Sequence, residues 1–512
     1  SSDLANAYKT IHTEVPMKKR ILALFLASIM LCSAAACSNG TESLDDETTI
    51  STTASTVPEE TQAPETLTPT ERRMLIPDDL PDKKFDGRSY IIAVDPTKVY
   101  EISFEELTGE ATNDAVYDRN LRIESRFDVK IEALETATPY NNIKTVVASG
   151  TYAYDVAGFV NYLSYTPILA GAVYNWCDIP YINLEKPWYN RLANDPATIN
   201  GKLYAINGDL SISTLQYTYG MFFNYNIMEN YGYSGQDLYN MVFDGKWTVD
   251  NMQAITTKIW EDTNGDGIHD RNDIHGYSVF LGLNTTDVWL AAFDLDLIDI
   301  HDDGTFEITF FNEKTVGALE KAIALSYDEN GTFINKKDWR DVPKAFSEGK
   351  IAMTQLYFGE TTESLGNMEA KYGILPLPKF DEAQEDYYTN AWDQFSVFAV
   401  PKTIADEDKE VVGIIFEALN AESYKTVYPA YYDKALKSRY SAEPATAEIV
   451  DIIMAGRKLE FLFQFGEFTA SLPYQFRQLL ANKQTDVAST YKKMEKLMKK
   501  TFGKVIQIYF ED

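Results

Sequence analysis

SYIIAV, residues 89–94, is a short unbroken apolar run typical of a strand buried on both faces. It is followed by NDAVYDRNLRIESRF, residues 113–127. In that segment Val116, Ile123 and Phe127 fall on one face of a helix. The chain therefore opens with a buried strand and an amphipathic helix.

The alternation of strand and helix continues through VKIEAL at 129–134, a helical pattern near 140–149 and YDVAGFV at 154–160. This order predicts an α/β fold that opens as a doubly wound sheet, in which ligands gather at the carboxyl ends of the strands. No glycine fingerprint follows the first strand, where residues 95–97 read DPT. A nucleotide cofactor is therefore not expected.

The N-terminal region has the pattern of a secretory signal. From Met17 the chain reads MKKRILALFLASIMLCSAAAC, with basic residues, an apolar run and small residues before Cys37. The apolar run is too short for a comfortable membrane span. Residues 17–36 resemble a bacterial lipoprotein signal, which predicts acylation of Cys37, and residues 1–16 are interpreted as an upstream extension that is not native.

Cysteine content and charge agree with export. Cys32 would leave with the signal and Cys37 would carry lipid, so Cys177 would have no partner for an intrachain disulfide. Removing residues 1–37 takes four basic and two acidic residues from totals of 46 and 77, which leaves a net charge of −33. Such a surface repels nucleic acid and anionic lipid head groups, so membrane contact is expected through the lipid anchor only.

The segment 37–77 is rich in Ser, Thr, Glu and Pro and has almost no large apolar residue. It cannot bury enough surface to order itself, and it is interpreted as a disordered tether. The body that remains, residues 78–512, exceeds the roughly 250 to 300 residues beyond which one core usually divides. Two lobes are expected, in a chain that we expect to be a monomer.

The stretch DTNGDGIHDRND, residues 262–273, has the ligand spacing of an EF-hand calcium loop, with oxygen side chains at positions one, three, five, nine and twelve and glycine at six. Position twelve is Asp rather than the bidentate Glu of sensor loops, and the loop resembles the shorter calcium loops of secreted modules such as dockerins. The alternative is a polar turn without metal. The expected ligands of a structural calcium are Asp262, Asn264, Asp266, Ile268 through its carbonyl, Asp270 and Asp273.

Several segments spread through the body resemble one family, the bacterial extracellular solute-binding proteins of ABC importers, and in particular its family 1-like group with sugar and oligosaccharide ligands. The segments are NGKLYAI at 200–206, YGMFFNY at 219–225, KWTVDNMQAITTKIW at 246–260, AFSEGKIAMTQLYFG at 345–359, YGILPLPK at 372–379 and FSVFAVPK at 395–402.

The resemblance implies a two-lobed periplasmic-binding-protein-like fold of type II, each lobe a doubly wound sheet flanked by helices, with the ligand held between the lobes. Lobe one would contain residues 78–215 and about 390–425. Lobe two would contain about 216–389 and 426–512. The implied function is lipid-anchored capture of a carbohydrate on the outer face of the membrane and its delivery to ABC permease subunits.

Aromatic and polar residues at or near a predicted change from strand to loop or from loop to helix are candidates for sugar binding, because sugar rings stack on aromatic faces and sugar hydroxyls bond to polar groups. In similar proteins these segments border the cleft, although core packing is the alternative for any single ring. The expected ligand-binding residues are Asn161, Tyr162, Trp289, Tyr357, Phe358, Trp392 and Asp393.

The sequence offers little support for catalysis. His269, His275 and His301 have no zinc-ligand spacing such as HExxH, and no GxSxG elbow occurs. A glycoside hydrolase needs only two carboxylates and stays an alternative, as do a surface glycan-binding lipoprotein and a receptor for another polar solute such as peptide. We expect a binding protein that is not an enzyme.

Overall fold

The computed structural model describes residues 69–281, 283–432 and 444–511, all within one compact unit, Thr66–Asp512. The predicted upstream extension, the signal, Cys37 and most of the tether therefore lie outside the described residues. The strands are β1 Arg88–Val94, β2 Val129–Glu135, β3 Val156–Val160, β4 Tyr219–Asn224, β5 Trp260–Glu261, β6 Ile274–Phe280, β7 Asp299–Ile300, β8 Phe306–Glu307, β9 Thr332–Asn335, β10 Ile351–Tyr357, β11 Tyr372–Leu375 and β12 Ser396–Ala399.

Helices connect and flank these strands. None of the described helices is both long and apolar enough to cross a membrane. They are α1 Pro69–Met74, α2 Val99–Ile102, α3 Ala111–Phe127, α4 Pro139–Ser149, α5 Tyr165–Leu169, α6 Arg191–Ala197, α7 Ile212–Gln216, α8 Tyr225–Asn230, α9 Gly235–Phe243, α10 Val249–Thr256, α11 Asn284–Ala292, α12 Glu313–Ser326, α13 Asp341–Ser347, α14 Glu360–Glu363, α15 Lys409–Glu422, α16 Pro444–Ala455, α17 Gln475–Ala481 and α18 Val487–Phe510, with a π-helix at Ser423–Val427.

The first sheet has the strand order β12-β3-β1-β2. Strand β1 runs parallel to β2 and β3, while β12 pairs antiparallel with β3. Parallel strands need crossover connections, and α3 and α4 supply them. The α/β opening expected from SYIIAV and the segments after it is confirmed.

Helix α3 shows why the sequence folds as predicted at this point. The Glu110 carboxylate caps its first turn by accepting hydrogen bonds from the backbone N–H groups of Thr112 and Asn113, both at 2.9 Å. Asp128, at φ 50°, ends the helix in the left-handed region. The predicted apolar face is buried, since Val116, Ile123 and Phe127 are at most 1 % exposed.

The second sheet has the order β11-β4-β10-β6-β5, with β9 also paired to β6. Strands β9 and β10 both pair with β6, and both run parallel to it. Strand β4 is antiparallel to both of its neighbours, so this sheet is mixed rather than uniformly parallel. Two helix-flanked sheets confirm the expected mixed α/β class, but the direction of β4 was not expected from the sequence.

The chain returns to the first sheet through β12 after it has built the second one, as multiple crossings between lobes would require. The last helix, α18, contacts the segment between β3 and β4 and also strand β8. The Tyr204 hydroxyl donates to the carbonyl oxygen of Ile508 at 3.2 Å, and Phe502 packs edge-on against Phe306 at 4.8 Å between ring centroids. The lobe boundaries stay a prediction.

The end of the predicted tether belongs to the folded body. Residues 69–74 form α1, and the Arg73 guanidinium lies 4.6 Å and 4.3 Å from the ring centroids of Tyr424 and Tyr428. Cation–π contacts of this kind compensate for the scarcity of apolar residues in the segment. Part of the predicted tether is therefore helical, and the boundary at residue 77 stays a prediction.

Candidate functional site

Three chain segments run side by side where the chain passes between the two sheets. The backbone N–H of Tyr219 donates to the carbonyl oxygen of Asn390 at 3.1 Å, and the N–H of Trp392 donates to the carbonyl oxygen of Tyr217 at 3.0 Å. On the other side, the N–H of Thr389 donates to the carbonyl of Gly456 at 2.9 Å. We call residues 217–219, 389–392 and 456–458 the hinge.

An aromatic group gathers at this hinge, and we call it the hinge aromatic cluster. The Trp392 ring lies 5.2 Å from Tyr217, 5.8 Å from Tyr357 and 6.1 Å from Trp339, measured between centroids. Tyr217 and Tyr357 meet edge to face at 5.6 Å. Such tilted and edge-on geometries are favourable between aromatic rings. Tyr357 is buried, while the other three rings keep part of their surface exposed.

Different parts of the fold deliver the four rings of the hinge aromatic cluster. Tyr357 is the last residue of β10, Tyr217 follows α7, and Trp339 precedes α13. The guanidinium of Arg340 covers the Trp339 ring at 4.8 Å. A site built in this way depends on the second sheet and on the hinge together.

Lys98 brings a positive charge to the cluster from the carboxyl end of β1. It is only 5 % exposed, and its ammonium lies 4.4 Å from the centroid of the Tyr217 ring. Burial lowers the pKa of Lys98, although the negative charges of Glu101, Asp95 and Glu363 act to raise it. The carboxyl edge of the first sheet, where ligands gather in such folds, therefore meets the hinge aromatic cluster.

Asp393 follows Trp392 in the hinge region and is half-buried. The hydroxyl of Tyr474 donates a hydrogen bond to its carboxylate at 3.2 Å. Burial and the charge of Asp287 raise the pKa of Asp393 to about 6, although Arg477 and the Tyr474 hydrogen bond act in the opposite direction. This carboxyl can accept or donate hydrogen bonds near neutral pH.

A buried ion pair lies beside Asp393. The Arg477 guanidinium forms two hydrogen bonds to the Asp287 carboxylate, the first of them from Nε at 2.7 Å. The Asp287 side chain is 3 % exposed and that of Arg477 17 %. Burial raises the pKa of Asp287 despite the guanidinium. The pair connects α11 to α17, and its loss would leave an uncompensated charge.

Two further carboxylates stand at the end of β10. The Tyr357 hydroxyl donates to the Glu363 carboxylate at 3.0 Å, and Glu360 is only 2 % exposed. Burial, helped by the charge of Glu363, raises the pKa of Glu360. With Asp287 and Asp393 in the same neighbourhood, carboxyl groups stand near the cluster together with the cations described above. This mixture of acceptors and donors suits hydroxylated ligands, whose hydroxyls both donate and accept hydrogen bonds.

The structure divides the predicted ligand-binding residues into two groups. Asn161 and Tyr162 lie against the hinge region, since their backbone N–H groups donate to the carbonyls of Phe395 and Asp393 at 2.9 and 3.3 Å. Tyr357 and Trp392 belong to the hinge aromatic cluster, and Asp393 follows Trp392 beside it. The other two, Trp289 and Phe358, are fully buried, and the Trp289 ring stacks on Phe293 at 5.1 Å between centroids. Both are placed as core residues.

Several residues of the site were missed from the sequence. Tyr217 was within reach of sequence reasoning, because it lies just before a predicted strand, and the chosen candidates lie at or near changes from strand to loop or from loop to helix. No local signal marks the others, because their role depends on partners more than 50 positions away. They are Lys98, Trp339, Asp287, Tyr474 and Arg477.

The predicted calcium loop forms the connection of a β-hairpin. Helix α10 ends at Thr256, and the loop runs from β5 to β6. Gly265 and Gly267 take φ values of 74° and 69°, which favour glycine. The Asp262 carboxylate accepts hydrogen bonds from the backbone N–H groups of these two glycines at 2.7 and 2.8 Å.

Asp273 departs from the predicted ligand arrangement. It is fully buried, and its carboxylate accepts hydrogen bonds from the Trp260 indole at 3.2 Å and from the backbone N–H of Thr263 and Asp270 at 3.3 Å each. Burial would raise its pKa, but these hydrogen bonds outweigh it and lower the pKa of Asp273. No group of three or more His, Cys, Asp or Glu side chains in the described residues is arranged to hold a metal. The oxygen donors of the loop still match calcium chemically, so the calcium site stays a prediction.

Known proteins match this chain at two levels, a family model and solved structures. A search of curated proteins found no match. The crystal structures of the GacH receptor of Streptomyces glaucescens GLA.O, unliganded and with acarbose and an acarbose homologue, match at a TM-score of 0.49 and 16 % identity, over 80 % of this chain and 99 % of that one. The model of the family described as bacterial extracellular solute-binding protein matches residues 123–413, more than half of the chain. The resemblance drawn from the sequence is thereby confirmed, and this protein belongs to the bacterial extracellular solute-binding protein family.

Proposed function

We propose that this protein binds a carbohydrate, most suitably an oligosaccharide, at the hinge aromatic cluster and delivers it to the permease subunits of an ABC importer. Membership of an extracellular solute-binding family implies an extracellular or periplasmic place of work. The observation that supports the ligand class is the cluster itself, with partly exposed rings of Tyr217, Trp339 and Trp392 beside buried acceptors. Sugars combine apolar C–H faces with many hydroxyls, so they match both features.

Trp392 is the proposed main stacking platform. It is half-buried, its backbone is fixed in the hinge by the hydrogen bond to Tyr217, and three other rings hold its side chain in place. A ring already held in one orientation loses little conformational entropy on binding. Asp393 beside it supplies a carboxyl for sugar hydroxyls, while Trp289 and Phe358 are left out because both are packed in the core.

Isothermal titration calorimetry with mono- and oligosaccharides, and with peptides as the second ligand class, tests this proposal. We expect heat from a sugar and none from peptides. Trp392→Ala should weaken sugar binding at least several-fold, because it loses about 0.5 to 1.5 kcal/mol of stacking in addition to buried area.

Tyr152→Ala is the matched control, because this ring is 45 % exposed and lies next to the start of β3, at the opposite end of the sheet from Asn161. Its affinity should equal that of the wild type. Binding of peptides alone would refute the carbohydrate ligand and favour another polar solute. Sugar binding that is unchanged in Trp392→Ala would refute the site, and release of cleaved sugar would favour a glycoside hydrolase.

The second part of the proposal is lipid anchoring through Cys37, for which the AAAC junction is the support. Labelling cells with a fatty-acid analogue should mark the wild-type protein and fail to mark Cys37→Ser. Cys177→Ser is the matched control, because Cys177 is an exposed free cysteine in the body and should not carry the lipid. Unlabelled wild-type protein in the medium would contradict the anchor. A labelled protein without permease partners in crosslinking would favour a surface glycan-binding lipoprotein.

A further inference from the structure

The last helix, α18, differs in charge from the rest of the chain. The protein has a net charge of −31, yet residues 492–504 contain six lysines and a single acidic residue, Glu495. This positively charged region contrasts with the negative net charge of the protein. We call its six residues the lysine face: Lys492, Lys493, Lys496, Lys499, Lys500 and Lys504.

The lysine face is directed away from the body. With about 100° per residue, the six lysines occupy an arc of roughly 140° on the helix. The opposite side is buried, where Phe502 contacts Phe306 and Tyr509 lies 5.2 Å from Tyr204 between ring centroids. All six lysines are exposed, and Leu497 beside them is 53 % exposed.

Folding does not explain the lysine face. Lys492, Lys496, Lys500 and Lys504 follow one another at i, i+4 spacing, where like charges destabilise a helix. Lys499 pairs with Glu495 at 2.7 Å, and no ion pair within the described residues engages the other five lysines. The helix dipole favours cations only in the last turn, which the lysine face precedes. The arrangement therefore costs stability.

We propose that the lysine face docks on an anionic lipid surface. The positive lysine face is complementary to a negatively charged lipid surface. The acidic residues elsewhere on the protein do not cancel this attraction, because charges more than about 8 Å apart are screened at physiological salt. The lysines extend over about 18 Å along a straight helix, and the exposed Leu497 fits a helix that lies in an interface. A flat surface of lipid engages this arc more fully than a narrow acidic peptide would.

The length of chain before the body permits this contact. The predicted anchor Cys37 precedes Pro69 by about 30 residues, which can extend to roughly 100 Å. Docking would thus be a second contact with the membrane, in addition to the anchor that the sequence suggests as the only one. It would orient the body, and it is independent of which solute the hinge aromatic cluster binds.

Co-sedimentation with lipid vesicles tests the proposal without the anchor. The chain from residue 37 onward, with Cys37→Ser, is mixed with vesicles of phosphatidylcholine alone or with about 30 % phosphatidylglycerol, at about 50 and about 300 mM salt. We expect binding to the anionic vesicles only, and weaker binding at the higher salt. Lys493→Gln/Lys496→Gln/Lys500→Gln should lower the affinity at least about tenfold.

The matched control is Lys336→Gln/Lys337→Gln/Lys371→Gln, which removes three exposed lysines elsewhere and changes the net charge equally. It should bind like the parent chain, and thermal unfolding should show that both triple variants are folded. Absence of binding to anionic vesicles at low salt, or equal loss in the control, would overturn the proposal. Binding to polyglutamate without binding to vesicles would also overturn it and assign the face to an acidic protein segment.

Discussion

The hinge aromatic cluster and the loop 262–273 are built in opposite ways. The six proposed calcium ligands of the loop come from twelve consecutive residues, and its Asn264 and Asp266 are exposed. The cluster takes its rings from positions 217, 339, 357 and 392, and surrounds them with buried charged groups. Most hydrogen bonds at the proposed ligand positions are local, although Arg271 of the loop also pairs with Asp341 at 2.9 Å. Tertiary packing holds the cluster. Substitutions near the cluster should therefore destabilise the fold strongly, whereas those at the exposed ligand positions of the loop should have smaller effects.

The largest expected effect is on the buried pair beside the hinge. Arg477→Ala leaves the Asp287 carboxylate buried and unpaired and also removes the contact of the guanidinium with the Tyr474 ring at 4.3 Å. We expect the free energy of unfolding to fall by about 3 to 5 kcal/mol. Urea denaturation measures it, and an added Asp287→Asn should recover part of the loss.

Arg191→Ala is the control for this experiment. Its guanidinium pairs with Glu185 and Asp195 at 3.1 and 3.2 Å, but its side chain is 59 % exposed. Exposed pairs contribute little, so the change should stay below about 0.5 kcal/mol. If Arg477→Ala and Arg191→Ala were equally stable, the buried pair beside the cluster would contribute no more to stability than an exposed pair.

The next effect depends on pH and concerns Asp393. Its pKa rises from the usual 3.8 to about 6 in the folded protein, so the folded state holds the proton more tightly than the unfolded state does. The favourable contribution is complete below about pH 4 and is lost as the pH rises through 6. Asp393→Asn should therefore be more stable than the wild type at pH 8, by about 1 to 2 kcal/mol after allowance for partial exposure.

The advantage of Asp393→Asn should shrink as the pH falls from 6 to 4, and thermal unfolding across this range measures it. Tyr474 can still donate to the amide oxygen, so that hydrogen bond is preserved. A stability difference that does not change with pH would show that Asp393 titrates normally. Sugar binding is measured on the same variant, and weaker binding by a folded Asp393→Asn protein would show that Asp393 contributes to binding as well as to stability.

The smallest effect is expected in the loop. Extracellular loops of this kind bind calcium at about 10⁻⁴ to 10⁻³ M, so about 2 mM calcium should stabilise the fold by about 1 kcal/mol. Calorimetric melting with and without calcium should show the rise. It should vanish in Asp262→Ala/Asp266→Ala, which removes two of the proposed ligands.

Glu105→Ala/Glu106→Ala removes two exposed carboxylates elsewhere and serves as the control, which should keep the full calcium effect. An unchanged melting temperature in the wild type would favour the polar turn without metal. That result would agree with the hydrogen bond from the Trp260 indole to the Asp273 carboxylate, because this bond occupies an oxygen of one proposed calcium ligand.

Sequence reasoning succeeded where the signal is local and failed where it is not. The runs 89–94 and 113–127 formed the expected strand and helix, because burial and helical periodicity are written in consecutive residues. Trp289 and Phe358 also lie near element ends, yet both are buried, because one aromatic pattern serves core packing and ligand binding alike. Arg73 ordered a segment that composition had assigned to the tether.

By itself the sequence determined the alternation of buried strands and amphipathic helices, the family, and the glycine positions of the loop, because each is encoded by neighbours along the chain. The tertiary contacts decide which rings meet at the hinge, which way β4 runs and which carboxyl groups lie beside Trp392. Those properties depend on residues far apart in sequence that become neighbours on folding. Burial changes the pKa and the hydrogen-bond partners of a side chain without changing its identity.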